Sequence, residues 1–273
     1  MSQLAEPILR VEDHRAWDAW MRAVRLHART IAFRRAVDRA LAIAAEALMG
    51  ATSPSVAWSG GKDSTVLTHL VAVELGGQVK VVSEKDDLDF PGEEQYVRDL
   101  GAAWKLDLRV VRPDVSPREW MEQHASKLAG CADIHSRSAG LSKACFYKVI
   151  EEATQHHDVV MLGLRAEESG VRRISRAKNG VIYPLKSGQR RANPIADFRG
   201  IDVYAYAETR GIELLTLYRC IGFANAHTPW LIRKSWWLPG SHTAHGQAAW
   251  LRRYYPSLWE IFREIVPDAQ AYA

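Results

Sequence analysis

The chain has 273 residues, 47% of them hydrophobic and 25% charged, with a formal net charge of +4 and an isoelectric point near 9.0. That is the composition of an ordinary soluble globular protein able to bury a large core, and its mild positive charge permits a polyanionic partner without demanding one. Cys131, Cys145 and Cys220 are too few and too widely spaced for a disulfide framework, a local zinc site or an iron–sulfur cluster, and the apolar runs are too short to span a membrane.

The N-terminus lacks the basic-then-apolar order of a secretory signal, which makes a cytoplasmic location the expectation. Residues 13–49 carry helical periodicity: Phe33, Val37, Leu41, Ala44 and Leu48 step by three or four, and Gly50 with Pro54 supplies the stop. One long helix or two shorter ones are predicted. Arg22, Arg25, Arg29, Arg35 and Arg39 mark its outer side, either as a track for a nucleic-acid backbone or as the solvated face of an amphipathic helix.

Next comes Val56-Ala57-Trp58-Ser59-Gly60-Gly61-Lys62-Asp63-Ser64-Thr65, an apolar run that stops at paired glycines and passes into a helical pattern. Glycines without Cβ atoms let backbone N–H groups curl around an anion, and the helix that follows offers its unpaired N–H groups and positive dipole end to the same charge. Ser59, Ser64 and Thr65 add hydroxyl donors, Lys62 a point charge, and Asp63 a carboxylate suited to a magnesium ion or a helix cap. A plain tight turn would explain the glycines but not the ordered Ser, Lys, Asp and Ser. The spacing is not that of a Walker A loop. Ser-Gly-Gly-Lys-Asp-Ser resembles the PP-loop of the adenine nucleotide alpha-hydrolase superfamily, whose members work at the α-phosphate of ATP. The resemblance implies a doubly wound, mainly parallel α/β sheet.

Downstream, Thr65 to Leu75 reads as a helix with Val66, Leu67, Leu70 and Val71 inward, and Val79 to Ser83 as a buried strand parallel to the first. Asp87-Leu88-Asp89-Phe90-Pro91-Gly92 is similar to a stretch of phosphoadenosine phosphosulfate (PAPS) reductases. Asp87 and Asp89 are read either as ribose or metal contacts or as loop and cap residues. Helices over 93–104, 117–128 and 141–156 alternate with strands over 106–111 and 158–162. In the loop 129–140, Cys131 and His135 are too few for a metal site. Lys148 lies on the last of these helices at the place of a family lysine, within reach of a phosphate. Cys145 reads as packed.

Gly163-Leu164-Arg165-Ala166-Glu167-Glu168-Ser169 resembles the Gly-x-Arg-x-x-Glu-Ser segment of the same family. Gly163 permits close backbone approach at a strand end, Arg165 grips a phosphate or sulfate bidentately, and Glu168 fixes that guanidinium or a magnesium ion. A salt-bridged structural turn needs the same residue types. Arg172, Arg173, Arg176 and Lys178 then form the densest positive cluster, suited to terminal phosphates. Asn179-Gly180 predicts the turn of a hairpin over 174–192. Asn193 to Phe198, Ile201 to Tyr206 and Gly211 to Tyr218 form a third family-like passage, with Asp202 as a helix N-cap.

The resemblance breaks at the C-terminus. Sulfonucleotide reductases attack sulfur with a terminal cysteine, and here no cysteine follows Cys220. The tail instead holds Trp230, Trp236, Trp237, Trp250, Tyr254, Tyr255, Trp259 and Phe262, interleaved with Arg233, Lys234, Arg252 and Arg253. This reads as a stacking surface for single-stranded nucleic acid or, because Trp250, Tyr254, Leu258, Ile261 and Ile265 share helical spacing, as core or subunit packing. His242 and His245 lie in a glycine-flanked loop.

The expectation is a helical extension over 1–53, a PP-loop nucleotide-binding domain over 54–220 and an aromatic-rich extension over 221–273. It is an enzyme binding ATP or a related adenylyl nucleotide with magnesium held by Asp63 or Glu168. Lys62, Asp63, Arg165 and Glu168 are the catalytic candidates. Ser59, Gly60, Gly61, Ser64, Thr65, Asp87, Lys148, Gly163, Arg172 and Arg173 join Lys62, Asp63 and Arg165 in nucleotide binding. Alternatives are PAPS reduction through Cys220, and a non-catalytic nucleotide-binding subunit that recruits tRNA, DNA or a protein through the basic and Trp-rich extensions. A homo-oligomer is compatible with either.

Overall fold

The computed structural model describes residues 7–124, 147–223, 232, 234, 247–265, 267 and 270. Helix α1 (Val11–His27) and helix α2 (Ile31–Leu48) open the chain as two helices, separated where the Thr30 hydroxyl accepts the Phe33 N–H at 3.1 Å and caps α2. Phe33, Val37 and Ala44 turn inward. The five arginines of the outer stripe are exposed, and two of them are answered within the chain: Arg25 meets Glu208 at 2.6 Å and Arg39 meets Asp197 at 3.6 Å.

Strands β1 (Pro54–Ala57), β2 (Lys80–Glu84) and β3 (Asp107–Val111) are joined by helices α3 (Lys62–Thr68) and α4 (Glu93–Ala103). Helix α3 begins at Lys62, three residues before the expected start, because the turn after Gly61 is already helical, and it widens into a π-helical stretch over His69–Glu74. Val66, Leu67, Leu70 and Val71 are fully buried as predicted. Helices α5 (Pro117–Gln123) and α6 (Lys148–Thr154) precede β4 (Val159–Leu162), and α7 (Gly170–Asn179) leads to the hairpin of β5 (Ile182–Pro184) and β6 (Arg190–Ala192).

The described strands form one sheet in the order β3-β2-β1-β4-β6-β5, parallel throughout except for the β5–β6 pair. At its centre Val56 is in register with Val81 on one side and Met161 on the other, all three fully buried, as strands covered on both faces require. The chain runs outward from β1 to β3 and returns to β4 on the opposite side of β1. That reversal opens a crevice beyond the carboxyl ends of β1 and β4, the place where open α/β sheets take ligand.

Two local readings are corrected. Asn179-Gly180 is the end of α7 and not a hairpin turn. Gly180 has a positive φ of +80°, which favours glycine, and the ten preceding residues are helical; the hairpin turns at 185–189, where Leu185 N–H donates to the Gln189 carbonyl at 2.8 Å. Asp202 is not the N-cap of α8 (Gly200–Thr209) but its third residue, accepting the Arg199 N–H at 2.6 Å.

Helices α9 (Gln247–Tyr254) and α10 (Pro256–Ile265) close the described fold, split by Pro256. Trp250, Tyr254, Tyr255, Leu258, Trp259, Phe262 and Ile265 are buried, so this part of the aromatic tail is core and not a stacking surface. The same core holds Phe33 of α2 and Trp58 after β1, so residues of both extensions pack with the sheet. Buried Asp13 ties the ends together: its Oδ1 accepts Gly222 N–H at 2.7 Å and the Tyr254 hydroxyl. No described helix is long and apolar enough to cross a membrane. The readings on Cys131, His135, Cys145, Trp230, Arg233, Trp236, Trp237, His242 and His245 fall outside the described residues.

Candidate active site

The loop Ser59-Gly60-Gly61 joins the carboxyl end of β1 to α3. Gly60 sits at φ +84°, where a side chain would be strained, and a Cβ there would meet Val97 Cγ2 at 3.0 Å. The loop braces itself: Ser59 Oγ lies 2.9 Å from Ser64 Oγ and accepts the Gly61 N–H at 3.3 Å, Ser64 Oγ donates to the Gly61 carbonyl at 3.0 Å, and Thr65 Oγ1 reaches the Gly60 carbonyl at 3.3 Å. Trp58 Nε1 anchors Thr65 Oγ1 from below at 2.9 Å, and the Tyr218 hydroxyl accepts the Lys62 N–H at 2.9 Å. Burial pushes that phenol well up, so it acts as a neutral group. Asp63 and Ser64 lie in the first turn of α3, where N–H groups have no intrahelical acceptor, which suits an anion.

The second loop, after β4, comes in against the first. A Cβ on Gly163 would stand 2.8 Å from both Cα and N of Ser64, so nothing larger than glycine fits between the two backbones. Gly163→Ala is expected to destabilise the fold by roughly 1–3 kcal/mol, the cost of forcing a methyl into a packed site. Urea unfolding measures that loss, and an unchanged midpoint would mean the loops part freely.

This approach places Arg165, only 1% exposed, over Asp63. Its Nε donates to Asp63 Oδ1 at 2.5 Å and its Nη1 to Glu167 Oε2 at 2.7 Å, while Lys62 Nζ donates to Asp63 Oδ2 at 2.9 Å. Glu167 also accepts the Gly200 N–H at 2.5 Å, which ties the network to the start of α8. Burial alone would raise the Asp63 carboxyl, but the charges of Lys62 and Arg165 outweigh it and hold it below the ordinary range. Burial likewise opposes the charge on Arg165, and Asp63 and Glu168 more than restore it. Glu168, expected to fix that guanidinium or a magnesium ion, acts on the guanidinium through its charge, while the guanidinium's hydrogen bonds go to Asp63 and Glu167. Glu168 accepts the Arg165 backbone N–H at 3.0 Å and pairs with Arg172.

The magnesium ligands expected at Asp63 and Glu168 do not fit that ion in this arrangement. Both Asp63 oxygens face cations, Glu168 is held by Arg172, and no cluster of three or more ligating side chains occurs among the described residues. Arg173 is exposed on α7. Asp87 is exposed, whereas Asp89 turns inward. Lys148 stands at the surface, 3.7 Å from Asp114 and from Glu152, so the Lys62–Asp63–Arg165 network forms without it.

A buried ionic cluster beside the loop went unread in the sequence. Lys85, just after β2, donates to Glu93 Oε1 at 2.5 Å and to the Ser59 carbonyl at 3.0 Å. Lys234 reaches Asp89 at 2.8 Å and Glu93 at 2.6 Å. Burial, opposed by Lys234 and reinforced by Asp89, pushes neighbouring Glu84 up to about 7; burial and then Asp89 and Glu84 push Asp86 up to about 9. The one available signal was the five acids and one lysine over 84–93, which also read as loop and helix-cap material.

A glycine-rich loop at the switch point of a doubly wound sheet, facing an arginine from the next strand, defines an α/β protein of the adenine nucleotide alpha-hydrolase-like fold. Residues 53–224 match the family described as the phosphoadenosine phosphosulfate reductase domain, and the chain belongs to that PP-loop family. None of the curated proteins matches it in sequence. Among solved structures it is similar to the PAPS reductase of Candida auris in a phosphate complex, with 17% identity, TM-score 0.50, and coverage of 65% of this chain and 82% of that one. It is similar also to a mutant FMN adenylyltransferase of Candida glabrata, with 14% identity, TM-score 0.50, and coverage of 80% and 71%.

Proposed function

We propose that the protein is an enzyme that binds ATP or a related adenylyl nucleotide and promotes attack on its α-phosphorus, with pyrophosphate leaving into the Ser59–Ser64 loop. The fold alone does not decide this, since one structural relative is by name a reductase and the other an adenylyltransferase. The observation that carries the reading is the buried Lys62–Asp63–Arg165 chain, which joins the phosphate loop after β1 to the arginine segment after β4.

In this mechanism Asp63 positions two cations on one side of the loop. Lys62 and Arg165 stabilise charge developing on the phosphates, the Asp63 and Ser64 N–H groups in the first turn of α3 hold the leaving pyrophosphate, and Gly163 keeps the two loops in contact. Asp63 remains ionised and takes no proton. The acceptor is a nucleophile such as sulfate, a nucleobase or a carboxylate.

Reduction through Cys220 has poor support. Its side chain is 0% exposed and its thiol points to the Thr216 carbonyl at 3.8 Å, whereas attack on sulfur needs an accessible thiolate. Cys220→Ser is expected to leave pyrophosphate release unchanged, and the wild type to release no sulfite from PAPS; sulfite lost on that substitution would restore the reductase. The main test is incubation with α-labelled ATP and magnesium, alone and with tRNA or DNA. Labelled AMP or an AMP adduct is expected. Nucleotide binding without either product would make the chain a non-catalytic subunit.

A further inference from the structure

The phosphate loop is flanked by more buried carboxylate than a polyanion tolerates. A Cβ on Gly60 would lie 3.4 Å from both Glu93 Oε1 and Lys85 Nζ, so this ion pair stands directly beside the loop. Asp89 is 3.6 Å from the same lysine. Lys85 alone leaves two carboxylates sharing one ammonium, an excess of negative charge where phosphates would sit. The second ammonium is Lys234, whose side chain is 9% exposed and whose Cβ is 3.8 Å from the position of a Cβ on Gly61. Two residues earlier the Ile232 carbonyl accepts Lys62 Nζ at 3.1 Å. Both residues lie beyond 224, where the family match ends.

We propose that Lys234 and Ile232 complete the phosphate site from the C-terminal extension: Lys234 neutralises the Asp89–Glu93 flank so that the loop accepts a polyphosphate, and Ile232 orients the Lys62 ammonium. Lys234 is therefore a positioning and counter-charge residue that acts through Glu93 and Asp89. Other charged groups facing it are Lys85, Glu84 and Asp86. The inference rests on the nucleotide reading above.

The test is calorimetry of the full chain with ATP, inorganic pyrophosphate and adenosine. Lys234→Met is expected to weaken ATP and pyrophosphate about tenfold or more, the scale of one lost charge contact, and to leave adenosine unaffected. Lys234→Met with Glu93→Gln restores the charge balance and should recover most of that loss. Glu93→Gln alone, which keeps Lys234 and removes a negative charge, should tighten ATP and pyrophosphate; it serves if Lys234→Met does not fold. Unchanged ATP affinity in Lys234→Met, no recovery in the double variant, or no tightening in Glu93→Gln each overturns the proposal. If the wild type itself gives no heat with any adenine nucleotide, the nucleotide reading falls first.

Discussion

Replacing Arg165 with methionine is expected to lower the unfolding free energy by about 3–5 kcal/mol, the range for removing one partner of a buried ion pair. The guanidinium bridges Asp63 on α3 and Glu167 after β4, and each carboxylate keeps only a weaker share of its partners once it is gone. Asp63 would retain Lys62, and Glu167 the Gly200 N–H. Arg165→Lys keeps the charge and most of the volume, but a single ammonium cannot serve two carboxylates in a fixed fork. It should fold and yet lose about 10²–10³-fold in turnover, the effect of removing one preorganised donor from a site of developing charge. Urea titration and labelled-ATP turnover separate the two effects. Combining Arg165→Met with Asp63→Asn should cost less than the sum of the single changes, by about 1 kcal/mol or more. Strict additivity would mean that the bridge couples nothing.

The sheet was legible because its strands are buried on both faces and its turns use glycine: the apolar run at Val56, the stop at Gly60-Gly61 and the step of Val66, Leu67, Leu70 and Val71 all agree with the structure. Asn179-Gly180 misled because a positive-φ glycine ends a helix as readily as it turns a hairpin, and α7 presents Val171 and Ile174 to solvent, so no inward apolar stripe announces it. In the site, motif order pointed to Lys62, Asp63 and Arg165 together. It could not assign Glu167 over Glu168, because adjacent acids in a short 3₁₀ turn differ in direction and not in chemistry. The buried pairing of Lys85, Glu93 and Lys234 escaped notice for another reason. Charged residues after a strand, in a helix's first turn or in an arginine-rich tail read as solvated, and their burial depends on contacts 8 to about 150 residues apart in the chain.

The same ionic cluster leads to the second large effect, a stability that falls as pH rises. Glu84 titrates at about 7 in the folded protein and near 4.5 when unfolded, so between those values the folded state holds a proton that the unfolded chain has released. The contribution of Glu84 is therefore most favourable below pH 4.5, falls as pH rises through this interval, and carries the full penalty above 7. At ~1.4 kcal/mol per pH interval of one, the penalty is roughly 3 kcal/mol. Asp86, pushed up to about 9, extends the loss into the alkaline range, while Asp63 and Asp89, both held low, act in the opposite sense in acid. A comparison with Glu84→Gln isolates the first term. That variant should match the wild type at pH 4.5 and exceed it by roughly 2–3 kcal/mol at pH 8 in urea unfolding. A difference that stays flat with pH would show that Glu84 ionises in place without penalty. Because Glu84 lies among the carboxylates that Lys85 and Lys234 balance, its ionisation also adds negative charge beside the phosphate loop. From pH 6 to 8 pyrophosphate affinity in the wild type should therefore fall relative to that of Glu84→Gln, the comparison at each pH cancelling the ligand's own ionisation, which ties the alkaline weakness of the fold to the electrostatics of its site.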